Sequence, residues 1–445
     1  MNIYYHSVRL DRDKCKGCVN CIKKCPTEAI RVRRGKAEIN EEKCIDCGEC
    51  IRACSNQAKY VETDSLEMLS AYRSNVALPP PSLFGHMRAS VSPPQLLTAL
   101  TAIGFDSVFE VAAGADIVSA EIKRLFQSGE INGPVISSAC PAVVRLIQVR
   151  FPGLTGRIMP LCAPTEVAAQ LARQKKMNEL GYAAEDVGIF FLTPCAAKVT
   201  SVKAPTGGLP SNIDGAIGVH QIYPQLSRCV KKAHQQLLTP QASGLGMGWG
   251  ISGGERLAVG LENYLVVDGI HNVISVLEEM EMGHLGGIDF IEAQACTGGC
   301  VGGSLHTLNT FVAGVQLRKL ARELNEKQPS PDKQRVQSAW LNYRVPRIAV
   351  QPRQIAYLDT DINKAMAKMA EAEKVTKLLP GLDCGACGAP NCKALAEDIV
   401  LSKAQETDCI FVLRERIMDL SLHVYDLAKL RPPAMNQPGG ERSES

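Results

Sequence analysis

The sequence predicts an α+β fold in which a small cysteine-rich module stands at either end of a larger, two-lobed α/β domain. Three observations carry this expectation. Cysteines crowd residues 1–62 and again residues 384–409. Between them, stretches with helical periodicity alternate with short β-rich runs, the pattern of layered α/β structure. The chain has 445 residues, more than one core usually organises, since domains run to roughly 100–200 residues.

Residues 1–62 hold eight cysteines and little core material. A linker is expected over 63–93; it opens on a helical-looking stretch, Ser65 to Ser74, and Pro79-Pro80-Pro81 breaks the periodicity. The central domain is expected over 94–345. Its helical patterns are Pro94 to Ile103, Ala115 to Gln127, Thr165 to Leu180 and Val273 to Met280, and its β-rich runs are Val135 to Ser137, Val187 to Thr193 and Asp289 to Ala293. Asn325 to Lys333, polar with two prolines, reads as a loop or boundary. A connector over 346–371 begins a helix spanning Asp361 to Lys377. The last module, 372–430, closes on a helix over Phe411 to Lys429, and the Pro/Gly/Ser-rich tail 431–445 reads as disordered.

The net charge of +3 is too weak to imply nucleic acid, and few aromatics are present for base stacking. No apolar run approaches the roughly 20 residues of a membrane span, and the N-terminus lacks the apolar stretch of a signal peptide. The chain therefore reads as cytoplasmic. In that compartment, tightly spaced cysteines read as metal ligands rather than disulfides, and there are 18 cysteines.

The first run is Cys15-x2-Cys18-x2-Cys21-x3-Cys25-Pro26, and the second is Cys44-x2-Cys47-x2-Cys50-x3-Cys54-Ser55. Each matches the bacterial ferredoxin run, in which the fourth cysteine ligates the other cluster. Three closely spaced thiolates wrap three corners of one cube, and the fourth cysteine begins a helix leading toward the second. Cys15, Cys18, Cys21 and Cys54 are thus expected to hold one 4Fe–4S cluster, and Cys44, Cys47, Cys50 and Cys25 another. Zinc, which typically takes two separated pairs of ligands, fits two complete four-cysteine runs poorly. Ser55 stands where proline usually follows. The basic turn Arg31-Val32-Arg33-Arg34-Gly35-Lys36 reads as a solvated turn, with docking of an acidic electron carrier as the functional alternative. A third pattern, Cys384-x2-Cys387-x4-Cys392-x16-Cys409, resembles the small 4Fe–4S module of corrinoid iron–sulfur proteins and related electron-transfer subunits. Gly385 and Gly388 free its loop, and Asn391 is placed to cap the helix that returns Cys409.

Four further cysteines lie in the central domain: Ser137-Ser138-Ala139-Cys140-Pro141, Thr193-Pro194-Cys195-Ala196-Ala197-Lys198, and Glu292-Ala293-Gln294-Ala295-Cys296-Thr297-Gly298-Gly299-Cys300. Each follows a β-like run and enters a helix or a Gly-rich turn, where free N–H groups and the helix dipole favour thiolate. Cys162 and Cys229 have no such setting and read as packing residues.

In these loops the chain resembles the iron-only (FeFe) hydrogenase family, whose signatures are written TSCCP, MPCxxK and ExMxCxxGCxxGG. All three occur here in order. Trp249-Gly250-Ile251-Ser252-Gly253-Gly254-Glu255 and Gly104-Phe105-Asp106-Ser107-Val108-Phe109-Glu110 resemble further family segments, and the resemblance covers about residues 94–345. It implies that Cys140, Cys195, Cys296 and Cys300 hold a 4Fe–4S cube. Cys300 would also bridge to a two-iron subcluster carrying CO, cyanide and a dithiolate, the pair forming an H-cluster. Lys198 would hydrogen-bond a cyanide, and Ser138, Ala139, Pro194 and Gln294 would line the cofactor. The implied reaction is heterolytic splitting of H2, with electrons leaving through the cubane clusters to a carrier such as ferredoxin. Ala139 replaces the family's proton-relay cysteine, Ser201 replaces a relay glutamate, and Thr193 and Gln294 replace two methionines, which should make the pocket more polar. These departures resemble the sensory branch, in which the same site reports to a signalling partner protein. The chain is also similar, more distantly, to iron–sulfur assembly proteins that lack the two-iron unit. No Rossmann glycine pattern or Walker loop is present to suggest direct use of a nucleotide.

Overall fold

Val187–Thr193 is a strand buried along its whole length, as its unbroken apolar run requires of a parallel strand covered on both faces. The computed structural model describes residues 5–88, 90–233, 237–326, 343–353, 358–359 and 361–430. In chain order the strands are β1 (Val8–Leu10), β2 (Ile30–Arg33), β3 (Lys36–Ile39), β4 (Lys59–Val61), β5 (Ser74–Leu78), β6 (Ser107–Val108), β7 (Val135–Ile136), β8 (Val187–Thr193), β9 (Gly215–Gly218), β10 (Tyr264–Asp268) and β11 (Phe290–Gln294). The chain divides into two units, one of residues 1–16, 24–29 and 39–355, the other of residues 17–23, 30–38 and 356–445. The first cysteine module therefore contributes to both units, a division that the expected partition at residue 62 did not draw.

The first unit holds two parallel sheets. One has the order β6-β5-β8-β9, with Val76 opposite Ile189 and Leu192 opposite Ile217. The other has the order β10-β11-β7, with Ile291 opposite both Leu265 and Ile136. Each sheet has its own core: Leu78, Leu100, Ile189 and Phe191 belong to the first, and Val143, Leu146, Ile291 and Leu277 to the second. These are the two expected lobes. Helices Pro93–Thr101, Pro141–Arg150 and Pro164–Leu180 each begin on proline at the first helical position, where a missing N–H costs nothing. Helices Val111–Gln127 and Pro164–Leu180 pass so closely at Gly114 that a Cβ there would lie 2.4 Å from the Pro164 carbonyl oxygen. β1 and β4 pair antiparallel beside these sheets. Among the described residues no helix is long and apolar enough to cross a membrane.

The second unit contains the β2–β3 hairpin and helices Ile362–Leu378, Cys392–Val400 and Ile410–Lys429. Asp361 caps the first of these by accepting from the Asn363 and Lys364 amides, and Asn391 caps the second by accepting from the Ala394 amide.

Two sequence expectations are corrected. The helical reading of Ser65 to Ser74 gives way to a 3-10 turn, Leu66–Ala71, followed by β5. The span expected as a linker thus supplies a strand paired on both sides. All five β5 residues are buried, so no alternation marked it, and a short apolar run is ambiguous by periodicity. Helix Thr310–Glu326 includes Asn325, so the expected loop does not start at that residue. Residues 327–333 and the tail expected as disordered lie outside the described residues.

One buried carboxylate ties the first unit together. Asp46 sits between Cys44 and Cys47 with φ 53°. Its Oδ1 accepts from the Ser7 and Val8 amides at 3.1 and 3.2 Å. Its Oδ2 accepts from Thr200 Oγ1 at 3.0 Å and from the Arg145 guanidinium at 3.5 Å. The Asp46 side chain is fully buried, and that of Arg145 nearly so. Burial pulls the Arg145 pKa down and the Asp46 charge opposes the shift. Removing one partner of a buried ion pair strands the other. We predict that Asp46→Ala lowers the unfolding free energy by about 3–5 kcal/mol, to be measured by chemical denaturation.

Candidate functional site

Parallel strands carry successive loops to one edge of a sheet, and in open α/β sheets the chemistry gathers at their carboxyl ends. The three central loops obey this rule. Cys140 follows β7, Cys195 follows β8 and Cys296 follows β11. Cys140 and Cys195 are the N-cap residues of helices Pro141–Arg150 and Ala196–Lys203, where the dipole favours thiolate. Cys300 opens a 3-10 turn after Gly299, whose φ is 91°. A Cβ on Gly299 would lie 2.5 Å from Gln294 Oε1 and 2.6 Å from the Ser252 amide nitrogen, so only glycine lets this loop close. The Gly-rich turn after Trp249 clasps the same loop, with the Ser252 amide donating to Gly298 O at 3.1 Å and the Val301 amide donating to Gly250 O at 3.0 Å.

Among the four central cysteines, Cys296 and Cys300 act on Cys195, Cys140 and Cys296 act on Cys300, and Cys140 acts on Cys296. Burial pushes the Cys195 and Cys300 thiols up to about 12, with the neighbouring cysteines adding to the rise and Lys198 opposing it. Cys296 is raised by burial and eased by Arg52. A dry cluster of four thiols cannot ionise without a compensating positive charge, and an iron cluster supplies it. The donor set therefore fits a cubane. Cys140, Cys296 and Cys300 also line a cavity whose other walls include Val111, Phe191 and Trp249. Ala139, Pro194, Lys198 and Gln294 also line it. Lys198 Nζ donates to Ala139 O at 3.2 Å. Gln294 Oε1 is buried with no partner, an orphan that a bound group would satisfy. One cation on the wall of an apolar chamber against Cys300 suits a small anionic metal unit.

Three expectations about this pocket need correcting. Ser138 donates its hydroxyl to Leu161 O at 2.9 Å and lines a separate cavity with Glu166 and Ser201. Thr193 spends its hydroxyl on its own loop, donating to Cys195 O at 2.9 Å and accepting from the Cys195 amide at 3.3 Å. It adds no polarity to the chamber, leaving Gln294 to do so. Ser201, on the wall of the second cavity, stands with Glu166, whose carboxyl is raised by burial and accepts from Ser211 Oγ and the Asn212 amide.

Residues that local spacing did not single out surround the site. Glu255 accepts the Ser137 hydroxyl at 2.8 Å, and Glu292 accepts the Gly253 and Arg256 amides at 2.8 Å each. Burial raises both carboxyls, Glu292 to about 7, and the Glu292 charge raises Glu255 further. Arg52 matters more for function. Its Nη2 donates to Cys296 Sγ at 3.2 Å and to Gly302 O, and its Nη1 donates to Cys47 O at 3.5 Å. One guanidinium thus touches the Cys44–Cys50 loop and the central cysteine loop together. The only sequence signal was a basic residue two places after Cys50.

At the N-terminal runs, Cys44 and Cys47 are raised by burial, and the charges of Cys25 and Cys50 act on both. These four cysteines lie together within the first unit. Of the other set, Cys15 and Cys54 belong to the first unit, Cys18 and Cys21 to the second. In the second unit Cys384, Cys387, Cys392 and Cys409 line one small cavity. The basic hairpin is not the solvated turn expected. Arg31 Nε and Arg33 Nη2 donate to Asp398 at 2.7 and 2.6 Å, and Arg33 Nη1 donates to Cys387 O at 3.0 Å.

Family models match three parts of the chain. The family model described as iron only hydrogenase large subunit, C-terminal domain, matches residues 74–254 and 254–304. A 4Fe-4S dicluster domain matches residues 7–55, and an Fe-S cluster family matches residues 379–411. The chain is similar to iron hydrogenase 1 of Clostridium pasteurianum, 27% identical over 114 residues, which is 25% of this chain and 20% of that protein. It is similar to the NADP-reducing hydrogenase subunit HndD of Solidesulfovibrio fructosivorans, 22% identical over 209 residues, 45% of this chain and 33% of that one. A variant of the FeFe-hydrogenase HydA1 from Chlamydomonas reinhardtii is 15% identical with a TM-score of 0.47, covering 63% of this chain and 95% of the other. The chain spans about a fifth to a third of the length of the curated relatives it matches. With one family model matching more than half of its residues, the chain belongs to the family defined by the C-terminal domain of the iron-only hydrogenase large subunit.

Proposed function

We propose that this chain is a slow FeFe-hydrogenase that activates H2 and passes electrons to a carrier such as ferredoxin. The observation that carries the reading is the gathering of Cys140, Cys195, Cys296 and Cys300, three of which (Cys140, Cys296 and Cys300) line an apolar chamber with Lys198 on its wall. In this reading those four cysteines would hold a 4Fe–4S cube, and Cys300 would also help hold a two-iron subcluster that would supply the hydrogen-splitting chemistry. The eight cysteines of the two N-terminal runs would hold two cubes, and Cys384, Cys387, Cys392 and Cys409 would hold one C-terminal cube. Lys198 fixes an anionic ligand by a charged hydrogen bond. Val111, Phe191 and Trp249 exclude water. Arg52 joins the Cys44–Cys50 loop to Cys296 as the electron's way out.

The same pocket explains why turnover is slow. Ala139 places a methyl group where a proton must leave, and a methyl can neither donate nor accept. Ser138 and Ser201 face the second cavity with Glu166 rather than the chamber. These features also favour a second reading, a cytoplasmic sensor that binds H2 and reports to a partner protein, because such a site needs occupancy more than turnover.

Three outcomes are expected. Infrared spectra of the anaerobically matured protein, with iron and sulfide quantified, show CO and cyanide bands; cubane iron without those bands would leave an electron-transfer or assembly protein. Ala139→Cys raises H2 evolution, by on the order of 10²-fold if general acid–base transfer limits the rate. Arg52→Ala removes a charged donor from a cluster sulfur and lowers the midpoint potential of the central cluster by on the order of tens of millivolts. Potentiometric electron paramagnetic resonance measures this, and Arg52→Lys restores part of the shift.

A further inference from the structure

Helix Ile410–Lys429 buries no residue anywhere along its length. Its apolar side chains are nevertheless ordered. Ile410, Leu413, Ile417, Leu420, Val424 and Leu427 recur at spacings of three and four, a strict heptad seam through the whole helix. These six are 41–65% exposed. The a positions are Ile410, Ile417 and Val424, all β-branched, and the d positions are Leu413, Leu420 and Leu427. β-Branched residues at a with leucine at d favour the parallel, two-stranded coiled coil over higher assemblies. The opposite face is broken by Glu415, Asp419, Asp426 and Lys429, so it offers no such seam.

We propose that residues 410–430 pair with the same helix of a second copy of this chain, in parallel and in register. A seam of this kind is complementary to itself, which identifies the occupant. The flanking positions agree. In the parallel pair Arg416 meets the partner's Ser421, and His423 meets the partner's Ala428, so no like charges oppose one another. Burying an aliphatic side chain of this size removes on the order of 100 Å² from water. Twelve half-exposed seam residues then bury roughly 700 Å². The stems of the flanking e and g residues bring the total to about 1,200 Å², the lower bound for a specific interface. The pair is therefore held modestly and dissociates on dilution. Its first turn is anchored at the C-terminal cysteine group, since Cys409 is the N-cap residue of this helix and the Leu413 amide donates to Cys409 O at 2.9 Å.

Sedimentation equilibrium of the full chain, loaded with iron and sulfide, tests this. A concentration-dependent dimer is expected at tens of micromolar. Ile417→Asp with Leu420→Asp should give a monomer with unchanged iron content. Met418→Asp with Leu422→Asp, off the seam, should remain dimeric. A wild-type monomer throughout that range overturns the proposal, whether or not it floats with phosphatidylcholine vesicles. So does a dimer that survives the seam substitutions, or one that both double variants dissolve equally.

Discussion

The site depends first on the charge buried at Asp46. A carboxylate without solvent must be matched by donors from several directions, and here they come from the first strand, from Arg145 in the helix after Cys140, and from Thr200 in the helix after Cys195. The residue lies inside one metal-binding loop and anchors the elements that launch two cysteines of the next. Its partners cannot drift independently, because each would leave a buried polar group unsatisfied. The spacing of the two cysteine loops is then set by hydrogen bonds rather than by the softer packing of apolar side chains.

Arg52 complements this constraint from the solvent side. The Asp46 network holds the loops at a fixed separation, and the guanidinium spans what remains, touching Cys47 O and Cys296 Sγ. A cation placed between two clusters of negative charge lowers the cost of bringing them together. Lys198 plays the corresponding part on the far side of the central thiols, where it lowers the cost of ionising both Cys195 and Cys300.

Much of this was legible before any fold was seen, and for a definite reason. Cluster ligands are close in sequence because a cube is small, so the spacing of Cys44, Cys47 and Cys50 reports geometry directly. The buried strand Val187–Thr193 and helices such as Pro164–Leu180 were likewise visible, since their periodicity is local. What escaped depends on partners far along the chain. β5 lacks alternation because both its faces are covered. Asp46, Arg52 and Glu292 look like ordinary charged residues until the fold brings distant donors or thiols to them. Thr193 was expected to face the chamber because a family methionine stands there, yet a hydroxyl so near its own backbone bonds locally instead.

The pairing of Arg33 with Asp398 joins residues 365 positions apart. The second unit draws on residues 17–23 and 30–38 as well as residues 356–445, so it stays incomplete until nearly the whole chain has left the ribosome. At roughly 5–20 residues per second, the early hairpin waits tens of seconds for its carboxylate. During that interval its two arginines and the Val32 amide, which later donates to Gly388 O, remain hydrated. Biogenesis therefore runs in a fixed direction, with the earliest-made hairpin among the last pieces to dock.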